Sequence, residues 1–139
     1  FIHIIKDFDF NDIEPFTIIL LDWNDSLHIY EFVWDGFVKH FKKLQQEPEI
    51  WSSSPLYDAQ MKKDRRVWFD EWLAENNKYN QNKILEFHQN TDRGESEIAI
   101  KMKRLFVETV SITSVKKEKN LLDIQYFDVL DEHKETLMF

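Results

Sequence analysis

The chain has 139 residues, 42% of them hydrophobic and 15% aromatic, which is enough for one domain (1–139) with a substantial core. Its formal net charge is −8 with no basic stripe, which argues against nucleic acid as a partner. It has no cysteine, which excludes disulfides, thiolate zinc sites and a cysteine nucleophile within the chain.

No apolar run approaches the roughly 20 residues that span a bilayer, and no signal peptide is visible, so the expected compartment is the cytoplasm. Twelve phenylalanines and five tryptophans are a heavy aromatic load. They imply either a thick core or a face that meets another protein surface. The chain begins at Phe1 and not at methionine, as a processed chain or a part of a longer one would.

Phe1 to Ile5 reads as a short strand or a helix end, and Pro15 fixes the approach to the next element. Phe16–Trp23, FTIILLDW, is nearly continuous in apolar character, as a strand buried on both faces would be. Asn24-Asp25-Ser26 is a turn, and Leu27–Trp34 a second, antiparallel strand. Asp35-Gly36 predicts a two-residue type I′ hairpin leading into Phe37–Leu44. Glu49–Ser52 suggests a short fourth strand.

The spacing then predicts a helix over Asp58–Asn76, with Asp58 as N-cap. Met61, Trp68, Phe69, Trp72 and Leu73 share its apolar face, with Arg65 on the same side. This helix is expected to lie over the sheet of the preceding strands. Trp68, Phe69 and Trp72 are its core or interface residues. Asn76–Asn80 breaks the helix and caps the next, Gln81–Gln89. Asn90–Gly94 is a loop, and Glu95–Met102 is ambiguous between helix and irregular structure. Phe106–Val115 and Leu121–Leu130 read as a strand pair joined by a charged loop, Lys116–Asn120. The tail to Phe139 reads as a helix end or an additional edge.

The five histidines, His3, His28, His40, His88 and His133, are scattered and offer no cluster for a metal. No metal or cofactor is expected. His28 and His40, on adjacent predicted strands, are expected to be neighbours. Ser52-Ser53-Ser54 precede Pro55 outside any Gly-x-Ser-x-Gly elbow. Either their hydroxyls serve local backbone groups, or Ser53 and Ser54 line a pocket. Arg65, beside an aromatic face, must pair with a carboxylate or stack on a ring. It serves either a structural ion pair or the recognition of a substrate anion. No P-loop, dinucleotide fingerprint, EF-hand or zincin motif is present.

Several strings carry a resemblance. WSSSPLY (Trp51–Tyr57) is followed by RRVWFDEWL (Arg65–Leu73), after Pro15–Asp22 and Leu27–Gly36. The pair around Thr109–Val115 and Gln125–Leu130 comes last. In this order they resemble the C-terminal half of the NRDE protein family, which includes transport and Golgi organisation protein 2. The resemblance implies an α+β, Ntn-hydrolase-like fold, a four-layer αββα sandwich of antiparallel sheets covered by helices. It implies amide-bond hydrolysis by an N-terminal cysteine upstream of an Asn-Arg-Asp-Glu string, and neither is in this sequence.

The chain would then be the C-terminal portion of a longer protein, without its nucleophile and with no catalytic residue of its own. Its expected partner is the N-terminal half of the same protein, or an oligomer partner. The alternative is a non-catalytic binding or structural module that docks a partner through its aromatic face.

Overall fold

The computed structural model of the protein describes residues 2–53 and 56–139. The fold is α+β, with two antiparallel three-stranded sheets, each flanked by helix. The residues gather in two units, Phe1–Lys62 and Lys63–Phe139.

In the first unit, helix α1 (Ile2–Asp7) precedes strands β1 (Phe16–Asp22), β2 (His28–Trp34) and β3 (Lys39–Leu44), ordered β1-β2-β3. The register pairs Phe16 with Trp34 and Ile18 with Phe32, so these four side chains share a face. Ile5 and Phe10 close over that face, and Phe32 is 1% exposed. The Phe10 ring lies 5.5 Å from Phe16, 5.5 Å from Phe32 and 5.6 Å from Trp34. The Trp34 indole N–H donates to the Ile13 carbonyl at 2.8 Å, which satisfies the one polar atom of that ring.

Ile5 and Phe10 cover this face. Two expectations change here. β1 is an edge strand and half-buried, with Leu21 47% exposed, so its apolar run does not mark burial on both faces. Glu49–Ser52 forms no strand.

The hairpin after β2 also departs from expectation. The Asp35 carboxylate accepts the N–H groups of Phe37 (2.8 Å) and Val38 (2.7 Å), and Asp35 N–H meets the Val38 carbonyl at 3.4 Å. The loop is therefore four residues, with Gly36 at φ 97°, and β3 starts at Lys39 and not at Phe37. The side chain that marked the turn has lengthened it by capping it. The His40 ring nitrogen adds a 2.7 Å contact, and with the two amides it holds the Asp35 carboxyl down at about 2. His40 sits opposite Val33, and His28 opposite Asp22, so the two histidines are not cross-strand partners.

Helix α2 (Ala59–Glu75) begins where the sequence places it, with the Asp58 carboxylate accepting the Met61 N–H at 2.9 Å. In the second unit its aromatic face meets helix α3 (Gln81–Gln89). The Phe87 ring lies 5.7 Å from Phe69 and 5.1 Å from Trp72. Asn80 caps α3 through the Lys83 N–H at 3.0 Å. Residues 102–109 form a small hairpin of their own. Thr109 N–H donates to the Met102 carbonyl at 2.9 Å, and the Thr109 hydroxyl oxygen accepts the Met102 N–H at 3.0 Å.

That hairpin moves the next strand along the chain. β4 (Ser111–Glu118) starts five residues later than Phe106 and runs through the lysines expected in a loop. Lys119 at φ 52° allows a two-residue turn into β5 (Leu121–Asp128). The tail is an edge strand, β6 (Lys134–Met138), giving the order β4-β5-β6.

Gly94 shows how closely the loop before the 102–109 hairpin is packed. Its φ is 74°, and an added Cβ would lie 2.5 Å from Trp68 Cη2 and 2.8 Å from Cζ2. Gly94→Ala should destabilise the protein by roughly 2–4 kcal/mol, from the left-handed backbone plus the overpacking. Adding Trp68→Phe, which removes both clashing atoms, should recover part of the loss in a double-mutant cycle of chemical melts. Additive losses would show that the ring is not the obstacle.

Candidate functional site

The sequence pointed to Ser53, Ser54 and Arg65. Ser53 is exposed, and its carbonyl accepts the Tyr57 N–H at 3.1 Å in the turn before α2. Ser54 lies outside the described residues. Arg65 is 7% exposed, and its Nη1 donates to the carbonyls of Ile98 (3.0 Å) and Ala99 (2.7 Å). A guanidinium stays charged, so burying it requires acceptors in fixed places. Here backbone oxygens of the 95–102 segment supply them. Arg66 is half-buried, 4.0 Å from Asp70 one turn on and with its guanidinium carbon 6.0 Å from the Phe69 ring centre.

The three aromatic candidates are all placed in the second unit. Phe69 is 8% exposed and stacks on Trp72 at 6.0 Å, with Phe87 against both. Trp68, half-buried, lies against Gly94. This face of α2 is a packing face within its unit.

Sequence reasoning passed over Arg93, which it read only as loop. Arg93 reaches back to α2 through Glu71, the Trp68 carbonyl at 3.5 Å and Glu75 at 3.8 Å. With Arg65 it gives the segment between α3 and β4 two guanidinium ties to one helix. Its place beside Gly94, one of only two glycines, was the available signal.

Three of the cavities among the described residues offer room for a ligand. One of about 230 Å³ lies at β3 beneath Trp51, with Ile29 and Leu44. A second, of about 410 Å³, lies at the 102–109 hairpin and is lined by Ser96, Lys101, Lys103 and Thr109. The third, of about 460 Å³, lies between α3 and β4.

His88 lines the third cavity, with its ring edge-on to Phe87 at 5.6 Å. Desolvation, and secondarily the Arg65 charge, hold the imidazole below its usual pKa. Among the described residues no hydrogen bond ties His88 to a carboxylate or hydroxyl, so the arrangement lacks the oriented base of a catalytic triad. The close His40–Asp35 contact in the first unit belongs to the capped turn. No group of three His, Asp or Glu side chains among the described residues is placed to hold a metal ion. No described helix is long and apolar enough to cross a membrane.

Comparison with protein-family models, with curated proteins and with solved structures finds no match to this chain.

Arg65→Met should cost roughly 2–4 kcal/mol, because the buried Ala99 carbonyl and the half-buried Ile98 carbonyl lose a charged donor. Arg65→Lys should recover only part of this: one nitrogen, Nη1, serves both carbonyls, and the lysine ammonium must reach the same point on a differently shaped side chain. A urea melt in which both variants match the native chain would remove Arg65 from the framework.

Proposed function

We propose that this chain is the C-terminal portion of an NRDE-type protein with an Ntn-hydrolase-like fold, and that it acts there as scaffold and pocket wall without a nucleophile of its own. Two antiparallel sheets flanked by helices are the parts from which an αββα sandwich is assembled. The observation that carries the reading is the use made of its most specific strings. Tyr57, Arg65 and Phe69, from WSSSPLY and RRVWFDEWL, are all under 9% exposed. Arg65 fixes a loop and Phe69 fixes a helix. Such residues are tied to a framework, as shared strings of a fold family are when they do not touch the reaction.

In this reading the reaction class is amide-bond hydrolysis. The attacking thiolate belongs to a cysteine upstream of Phe1, with its own α-amine as base. This chain contains no cysteine to take that part. The partner is then the N-terminal half of the same protein.

The purified chain should leave a panel of N-acyl amides intact. The reading frame upstream of Phe1 should contain a cysteine followed by Asn-Arg-Asp-Glu. The protein spanning both halves should hydrolyse an amide and lose that activity when the cysteine becomes alanine. An upstream frame without that cysteine, or turnover by this chain that persists through successive purification steps, would overturn the proposal.

A further inference from the structure

The cavity between α3 and β4 is walled on one side by Ile112, Thr113, Ser114, Val115, Lys116 and Lys117, six residues in succession. Side chains alternate across a strand, so a cavity over a sheet face touches every second residue. Contact with every residue in turn means that the strand presents its edge, where the main chain lies. β4 is an edge strand. It pairs with β5 from Ser111↔Asp128 to Glu118↔Leu121, and among the described residues no strand pairs with its other side. Between Ile112 and Lys116 its outward main-chain edge is the template that a further strand completes.

The opposite wall comes from α3. Gln81, Ile84, Leu85 and His88 follow the i, i+3, i+4, i+7 spacing of one helical face. Ile84 and Leu85 supply apolar surface. The Gln81 side-chain amide nitrogen is buried without a hydrogen-bond partner, so this wall also holds an unused donor. In a chain with 26 acidic residues, none of the side chains lining this cavity is acidic, and Lys116 and Lys117 line it. Glu118 holds the Lys116 ammonium in place at 2.8 Å.

We infer that this groove is a strand-acceptor site that takes an extended acidic peptide by β-addition to β4, with the peptide's apolar side chains against Ile84 and Leu85. The occupant is polypeptide because only a main chain offers donors and acceptors at the repeat of the β4 edge. It is acidic because the lining carries cationic side chains and no carboxylate. Six residues of β4 offer roughly 20 Å of edge at about 3.4 Å per residue. A second copy of this chain fits poorly, because its own β4 would bring Lys116 and Lys117 into the same groove. The inference stands apart from the amide-hydrolysis reading and needs no upstream half.

The test uses the 139-residue chain and a short capped peptide of alternating valine and glutamate. The peptide should shift the backbone amide resonances of residues 112–117 and bind with a Kd below about 1 mM. Methylating the peptide amides that face β4 should weaken binding by about tenfold or more, and so should replacing glutamate by lysine. Leu85→Glu, which puts a carboxylate into the groove, should do the same while the remaining resonances stay in place. No shift at residues 112–117 at about 1 mM peptide, or equal binding of the methylated peptide, would overturn the inference. So would a concentration-dependent dimer built on the β4 edge that the peptide does not displace.

Discussion

A guanidinium that cannot lose its proton, buried under a segment with little regular structure, sets the terms for the second unit. Arg65 projects from α2 and holds the carbonyls of Ile98 and Ala99. The segment it holds is knit by its own backbone bonds. Ala99 N–H donates to Glu95 at 3.0 Å, Lys101 N–H to Asn90 at 3.2 Å and Lys103 N–H to Ser96 at 2.8 Å. Ala99, Ile100 and Met102 are buried as a result, although no helix or strand contains them. Loops usually run over the surface because their polar groups need partners. This one goes inside because its own backbone bonds and Arg65 together supply them.

The first unit meets the corresponding problem with aromatic rings. Phe10 reaches the sheet from outside it and touches Phe16, Phe32 and Trp34. Lys39 supports that placement by donating to the Phe8 carbonyl at 2.6 Å, with its ammonium 5.1 Å above the Phe10 ring. Such ring pairs each contribute about 0.5–1.5 kcal/mol beyond their area, so Phe10, with Ile5 of α1 in the same cluster, anchors the cover over the sheet.

Much of this was legible in the sequence where one local cause sufficed. Asp58 and Asn80 cap helices because their carboxylate and amide oxygens reach the third N–H; Asp58 was readable as an N-cap, and Asn80 as one end of the capping segment Asn76–Asn80. The spacing of Arg65, Phe69 and Trp72 gave the packed face of α2, but not what it packs on. Phe87 and the 98–99 carbonyls lie further along the chain, and periodicity carries no information about a partner. Asp35-Gly36 gave a turn but not its length, because the capping bonds of the carboxylate added two residues. The start of β4 was misplaced because Phe106 and Val107 favour strands. Phe106 instead sits at a hairpin tip, 92% exposed. The groove between α3 and β4 could not be read at all, since it requires knowing that β4 lies at an edge.

Native-state hydrogen exchange on Arg65→Met tests the account most directly, since it reports on individual amides whether or not global stability changes much. If Arg65 keeps the 95–102 segment inside the unit, the amides of Ala99, Lys101 and Lys103 should lose most of their protection. Those of β4 and β5 should keep theirs to the level set by global unfolding. Unchanged protection at Ala99 and Lys101 would mean that the segment holds itself, and that the buried guanidinium is not the constraint on which this unit depends.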